Sequence, residues 1–255
     1  KQGGTVLNPT LNREQLKKDF AKQKRLVIED FLAPGIAERV AENASRHLLF
    51  KVSYSIDGKN HSISQAEMNA LSNDEKRELN TKILDAASQG IGFLYCAYRP
   101  EDIKDTSSEE LIFLHDFFDF IRSEEVLSLI QYITGNEKID RADAHYTRYT
   151  PGQFLTRHQD IIPGKNRRFA YVLGFTRIWH PDWGGLLQFY RQDGSPEETW
   201  VPKFNALSLF DTKYIHAVTC VAPYAGDQRL SLTGWFREPP GPETPSSDWS
   251  VSYKL

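Results

Sequence analysis

The sequence predicts an α+β chain with a mainly β core, a double-stranded β-helix (cupin-type jelly roll) with supporting N-terminal helices. Three observations predict it. Helix-start signals crowd the first 140 residues, short β-like runs crowd the residues from 144 to 240, and a His-x-Asp triplet, His158-Gln159-Asp160, opens the second region. A shift in composition near residue 140 divides a single domain over 1–255 into mainly helical support with a candidate lid (1–140), a jelly-roll core (141–240) and a C-terminal tail (241–255).

Residues 25–32 read as a short strand, leading into a helix that Pro34 initiates and that runs to about Leu49. Proline suits a first helical turn, and Ile36, Val40, Ala44 and Leu48 then recur on one face. Residues 52–62 read as a hairpin or loop around Asp57-Gly58, a dipeptide that tolerates positive φ in a tight turn, and form the candidate lid. Ser64/Glu67, Ser72/Glu75 and Ser107/Glu110 are capping-box pairs, each able to satisfy the open amides of a helix start. A further helix is predicted from Ser123 to Gly135, and the aromatic segment 91–98 is strand-like. Beyond Ala144 the β-like runs fall at 169–175, 186–190, 206–211, 216–221 and 230–236, separated by Pro, Gly and Asp. Short strands at this spacing indicate a sandwich or barrel, and the double-sheet jelly roll is the variant that habitually carries metals. No internal repeat or low-complexity segment interrupts the pattern.

Composition narrows the function classes. With 255 residues, 40% of them hydrophobic, the chain can enclose one substantial core. The net charge of −3 and the absence of a Lys/Arg block exclude the electrostatic footprint of a nucleic-acid binder. No run approaches the roughly 20 apolar residues that cross a bilayer, so no membrane partner is expected. Cys96 and Cys220 are too few for a disulfide framework and wrongly spaced for zinc, and are expected to be buried thiols in a reducing, cytoplasmic setting.

The chemistry rests on strand parity. At a strand end, His158 and Asp160 stand at i and i+2 and project to the same side. His216 begins another strand, shares a face with Val218 and Cys220, and is expected to close a triad from the opposite sheet. Two imidazoles and one carboxylate on one face of an octahedral ion leave positions open, the ligand set of non-heme Fe(II) oxygenases. Alone, a His-x-Asp is more often a solvated surface pair. Further along, Arg229, Ser231, Thr233 and Trp235 share one strand face while Leu230, Leu232 and Phe236 take the other. A guanidinium turned into a barrel requires an anion, because an unpaired buried charge is costly. Either a core carboxylate in a salt bridge or a dicarboxylic cosubstrate held bidentately would supply it.

Five blocks in one frame carry a resemblance: residues 148–160, Trp183-Gly184-Gly185-Leu186-Leu187, Phe204-Asn205-Ala206-Leu207, His216-Ala217-Val218, and residues 229–236. They resemble the Fe(II)/2-oxoglutarate-dependent dioxygenases, and within them the prolyl-hydroxylase-like group. The likeness spans residues 144–237 and extends to 27–32. It implies a single catalytic domain in which His158, Asp160 and His216 bind iron, Arg229 binds the distal carboxylate of 2-oxoglutarate, Tyr149 hydrogen-bonds that cosubstrate, and Thr233 is a polar pocket residue. It also implies Fe(II), 2-oxoglutarate and O2 as cofactors, with ascorbate as a stimulant. The implied reaction is hydroxylation of an unactivated C–H bond, coupled to decarboxylation of 2-oxoglutarate to succinate and CO2. The implied partner is a prolyl residue in a protein or peptide, a free amino acid or another small metabolite. Asp160 favours hydroxylation over halogenation, because related halogenases lack this carboxylate.

One departure stands out. The family often places a Tyr beside the cosubstrate on the strand matching 169–175, whereas Gly174 or Phe175 falls there and Tyr171 lies an odd number of positions away, facing the other side. The alternative readings are a non-catalytic cupin-like sensor module that binds a metal and an organic anion, and a cupin-type isomerase. His145 and His180 are expected as surface or hydrogen-bonded histidines and His115 as a core residue among Phe113, Phe117 and Phe120. Tyr149 reads equally as a core aromatic with a bonded hydroxyl. Trp179, Trp183, Tyr95 and Tyr98 read as core or rim aromatics, with a cleft-lining role as the alternative.

Overall fold

The structure, a computed structural model, describes residues 5–90, 92–102 and 108–240. The first half runs α1 (Arg13–Gln23), β1 (Arg25–Ile28), α2 (Ile36–His47), β2 (Lys51–Ile56), β3 (Lys59–Ser64), α3 (Gln65–Ala70), α4 (Asn73–Gln89), β4 (Phe93–Tyr98), α5 (Glu109–Ile121) and α6 (Glu124–Thr134). The second half is β throughout, with β5 (Arg141–Ala142), β6 (His145–Tyr149), β7 (Phe154–His158), β8 (Arg167–Gly174), β9 (Leu187–Tyr190), β10 (Pro196–Trp200), β11 (Leu207–Asp211), β12 (Ile215–Val218) and β13 (Arg229–Arg237).

Local chemistry accounts for most boundaries. Ser64 and Ser72 each accept from the backbone of the Glu three residues on, and that Glu accepts in return from the Ser amide, so both capping boxes form. Ser123 caps α6, and Gly135 ends it in the left-handed region at φ 70°. Ser107 lies outside the described residues, and Ser108 caps α5. The α2 helix starts at Ile36 rather than Pro34, with Gly35 at φ 82° before it, and its Val40, Ala44 and Leu48 are buried as the periodicity requires. Asp57 and Gly58 both take positive φ, 52° and 71°, which joins β2 to β3 by a two-residue turn of the kind that matches strand twist. Helix α1 has no counterpart in the sequence reading. Only Phe20 of it is buried, so an apolar period is almost missing, and the Asn12 cap carries the signal instead.

Every strand pairing is antiparallel, in the order β1-β11-β8-β13-β6-β4-β7-β12-β9-β10. The sheet curls on itself as a jelly roll. Strand β4 is the seam: Cys96, Ala97 and Tyr98 pair with β6, whereas Phe93 and Leu94 pair with β7. Strands from the first half are therefore built into the sheet.

The main core lies between the helices and the outer face of the larger leaf, where Phe20, Val40, Phe118 and Ile130 meet Tyr146, Leu173, Leu230, Leu232 and Phe236. Burial of each such side chain contributes about 1.5–3 kcal/mol. By alternation, anchoring Leu230, Leu232 and Phe236 outward turns Arg229, Thr233 and Trp235 into the cavity of the roll, as the strand parity predicts. Gly234 fits because β13 runs close to a neighbouring backbone: a Cβ there would stand 1.8 Å from the Asp143 carbonyl oxygen. Cys96 is buried, but Cys220 is exposed, contrary to expectation. Strand β12 ends at Val218, so the alternation that would have turned Cys220 inward stops two residues short. Among the described residues, no helix is long and apolar enough to cross a membrane.

Candidate metal centre and anion pocket

His158 ends β7, and Asp160 follows in the loop, its amide donating to the Thr212 carbonyl at 3.3 Å. His216 does not come from across the roll as expected. Strand β12 pairs directly with β7, and His216 sits opposite His158 in register, with a bulge between His216 and Val218. The bulge is the kind of local re-aiming found beside functional sites.

The three donor atoms lie within 4.8 Å of one another. His216 Nε2 is 3.4 Å and His158 Nε2 3.7 Å from opposite oxygens of Asp160. Each imidazole is fixed in the same way: Nδ1 donates to the carbonyl two residues earlier, Thr156 for His158 at 2.9 Å and Tyr214 for His216 at 3.0 Å. A carbonyl only accepts, so both protons sit on Nδ1 and both Nε2 lone pairs point at the shared centre. That backbone support is the usual companion of a metal-ligating imidazole.

Burial, then the neighbouring His216, lowers the His158 imidazole to about 4. Burial alone would raise the Asp160 carboxyl, but His216, its hydrogen bond, His158 and the Trp235 indole outweigh it and hold the group well below the usual carboxylate range. At neutral pH the triad therefore offers an ionised Asp160 carboxylate and a neutral His158 imidazole, the deprotonated donors that a divalent cation requires.

Arg229 opens β13 opposite Tyr149 of β6, with its guanidinium carbon 5.3 Å from the Tyr149 ring centre. Its stem runs past Gly185, where a Cβ would stand 3.4 Å from Arg229 Cδ and 3.1 Å from the Trp179 ring. Only 3% of Arg229 is exposed, its Nε has no hydrogen-bond partner, and no carboxylate among the described residues forms an ion pair with it. The salt-bridge alternative is thereby removed. The guanidinium faces the same inner cavity, about 90 Å³, as the metal triad. The residues present thus fit both groups: a facial two-His-one-carboxylate donor set, and an unsatisfied buried cation for a carboxylate beside it.

The other site expectations divide. Tyr149 is buried and stacks on Tyr95, at 5.3 Å between ring centres, within the cavity wall. Burial, then Tyr95, pushes its hydroxyl well above the usual phenol range, so it stays a neutral donor. Thr233 also lines the cavity, but its Oγ1 is 3.2 Å from His145 Nε2, so its hydroxyl is engaged by a side chain. His145 is accordingly hydrogen-bonded, as expected, yet it stands in the cavity wall and stacks on Trp235. Trp179 and Trp183 pack behind Tyr149 and Arg229 as a support cluster with Val218 and Val221. Tyr98 points away to His115 at 3.1 Å, His180 is an exposed cap of a short turn, and Tyr171 donates to the Asp143 carbonyl from the main core. Sequence reasoning missed Thr147, whose buried Oγ1 has no partner in the inner cavity. It stands two positions before Tyr149 on the same strand face, and parity alone would have found it.

Two depressed imidazoles set a pH response. His158 is held at about 4 and His145, chiefly by burial and then by Arg99 and Arg167, at about 3, against an ordinary 6.5. A depressed imidazole contributes stability in full above its unfolded value and loses it as pH falls towards its folded one. The metal-free protein is expected to lose stability between about pH 6.5 and 4, the upper part of that window lying above the range where carboxylates contribute, at about 1.4 kcal/mol per unit per fully linked group. Denaturant midpoints at pH 7, 5.5 and 4 check this, and His145→Gln should flatten the slope. A midpoint unchanged over that window would contradict the assignment.

Comparison with known proteins agrees with this chemistry. Residues 144–237 match the family described as the 2OG-Fe(II) oxygenase superfamily. The chain is 32% identical over 151 residues to the prolyl 3-hydroxylase OGFOD1 of Xenopus laevis, covering 56% of this chain and 28% of that protein. It is 26% identical over 154 residues to the prolyl 3-hydroxylase sudestada1 of Drosophila melanogaster, with the same coverage, so it spans under a third of the length of these curated relatives. Among solved structures, a Pseudomonas putida prolyl-4-hydroxylase aligns with a TM-score of 0.54 at 21% identity, over 89% of this chain and 99% of that one. A Trichoplax adhaerens prolyl hydroxylase bound to a hypoxia inducible factor peptide fragment aligns with a TM-score of 0.54 at 18% identity, over 89% of each chain. These structural likenesses show a shared fold.

Proposed function

From the premise that residues 144–237 are a prolyl-hydroxylase-like core of the 2OG-Fe(II) oxygenase superfamily, we propose that the chain is an Fe(II)- and 2-oxoglutarate-dependent dioxygenase. It hydroxylates an unactivated C–H bond of a prolyl residue in a protein or peptide, or of a related free amino acid, in a cytoplasmic setting that suits its free thiols. The observation that carries this reading is the buried, unpaired Arg229 guanidinium in one cavity with His158, Asp160 and His216.

When bound, Fe(II) and 2-oxoglutarate supply the O2-dependent oxidation that leaves succinate and CO2. The chain's own residues do the rest. His158, Asp160 and His216 would hold the metal, with both imidazoles oriented by the Thr156 and Tyr214 carbonyls. Arg229 would take the far carboxylate of the cosubstrate, since a planar guanidinium fork suits a carboxylate. Tyr149 and Thr147 are donors beside that site, and Thr233 acts through His145 rather than directly. Val218, Leu187 and Phe210 close the cavity and exclude water, which strengthens each charge interaction inside it.

The test is incubation with iron, 2-oxoglutarate and ascorbate, with succinate quantified and prolyl peptides and free amino acids searched by mass spectrometry for a one-oxygen gain. Substrate-stimulated, iron-dependent succinate with a matching mass gain is expected. Tight binding of 2-oxoglutarate without any turnover would favour the sensor reading instead.

A further inference from the structure

We infer that a second cavity, outside the metal site, is a carboxylate subsite in which Arg167 and Arg99 hold an anionic group of the substrate. The inference rests on the hydroxylase reading for the word substrate, but its geometry stands independently. This outer cavity encloses about 620 Å³ and shares Tyr95, His145 and Trp235 with the inner one, so a molecule seated there reaches the metal triad past those three side chains.

Its charges do not balance. Arg99, Arg122 and Arg167 line it, against Glu101 and Asp143. Asp143 is already taken by Arg237, at 3.0 and 3.3 Å to its two oxygens, and Glu101 is exposed. Arg122 is exposed and donates to the Ala142 carbonyl. Arg99 and Arg167 belong to no ion pair among the described residues. Arg99 meets only neutral side-chain partners, the Ser53 hydroxyl at 3.4 Å and the Tyr95 phenol, neither of which balances its charge. Arg167 lies over the Trp235 ring, 3.4 Å from its centre, and its buried Nε has no partner. Arg99 and Arg167 line the same cavity together with the His145 imidazole.

The competing explanation is that Arg167 merely balances Asp160. Their charges do interact, but they form no ion pair, and a divalent cation on Asp160 would cancel that anion; Asp143, whose charge also acts on Arg167, is already engaged by Arg237. A half-buried guanidinium over an indole ring, with an Nε that has no partner, can accept a carboxylate. The subsite therefore selects substrates that carry a carboxylate near the oxidised carbon, either the main-chain carboxylate of an amino acid or chain end, or an acidic side chain beside the reacting residue.

The test is calorimetric titration of the anaerobic protein loaded with Fe(II) and saturating 2-oxoglutarate, so that the Arg229 pocket is filled. The probes are N-acetyl-L-proline against N-acetyl-L-prolinamide, and N-acetyl-Pro-Asp-amide against N-acetyl-Pro-Asn-amide. At least one acid is expected to bind about tenfold more tightly than its amide, a ratio of the size a charge-assisted pair supplies. That ratio should collapse towards unity in Arg167→Gln and in Arg99→Gln while 2-oxoglutarate affinity holds. Preference in the first pair assigns a free amino acid or chain end, and preference in the second an acidic peptide. Equal binding of acid and amide in both pairs, no binding of any acid, or a preference that survives both substitutions overturns the subsite. N-acetyl-L-alanine against its amide separates the two readings: an equal acid preference there supports the subsite and retires the prolyl substrate.

Discussion

Asp160→Ala is expected to abolish iron-dependent succinate formation and to weaken Fe(II) binding by more than the roughly 10–100-fold that follows loss of an outer partner of a metal ligand. Asp160 is 7% exposed and supplies the only negative charge among the three donors, with His158 and His216 facing its two oxygens. Without it, two neutral imidazoles with ring centres 4.2 Å apart must hold a dication with no anionic ligand in a poorly solvated cavity. Asp160→Asn retains the volume and removes the charge, so it should lose iron nearly as completely. The fold should survive either change, because the backbone bond from residue 160 to Thr212 and the His158–His216 strand pairing do not depend on the side chain. Iron titration, succinate release and thermal melting of the metal-free protein separate these effects. Turnover within about tenfold of the parent in both variants would remove the triad from the mechanism, since ligand loss costs more than outer-partner loss.

How much of this was legible before folding depends on whether the signal is local. Strand parity is local, and it placed Arg229, Thr233 and Trp235 on the inward face of β13 and His158 beside Asp160. Capping boxes are local as well, and Ser64 and Ser72 start helices where the sequence says they do. What failed depends on pairing between distant segments. Nothing near His216 says that β12 lies beside β7 rather than across the roll, or that the strand stops before Cys220. Likewise β4 divides its hydrogen bonds between β6 and β7, which turns Tyr95 into the cavity wall and Tyr98 towards His115. Arg167 could not be singled out from sequence because its meaning comes from contact with Trp235, 68 positions away, in a cavity that the β2–β3 hairpin residues Asn60 and His61 also line.

Arg229→Leu is expected to move stability and function in opposite directions. In the metal-free protein Arg229 is 3% exposed, lacks a counter-charge and leaves Nε unbonded; burial lowers the guanidinium from its ordinary value, outweighing the opposing effect of Tyr149. Replacing a poorly compensated buried ion with an apolar side chain commonly stabilises by about 1–4 kcal/mol, and Trp179 and Val221 already give the stem an apolar surround. The variant should therefore melt higher than its parent when no ligand is present. With 2-oxoglutarate the order should reverse its sense. Losing one partner of a buried, hydrogen-bonded charge pair costs about 2–5 kcal/mol, so the concentration for half-maximal turnover should rise by at least about 30-fold. Ligand at about 100 times its dissociation constant stabilises the parent by about 2.7 kcal/mol, a gain the variant should lack at the same concentration. Fe(II) affinity should stay within about twofold, because Arg229 belongs to no ion pair with Asp160 or any other described carboxylate and none of the triad's supporting hydrogen bonds passes through it. Melting curves with and without 2-oxoglutarate, set beside an iron titration, read all three quantities. If the variant loses iron and 2-oxoglutarate affinity together and melts lower, Arg229 is part of the framework, and the anion pocket with it loses its anchor. If only the cosubstrate is lost and the empty protein gains stability, the cost of holding an unpaired guanidinium in the core is explained by the carboxylate it awaits.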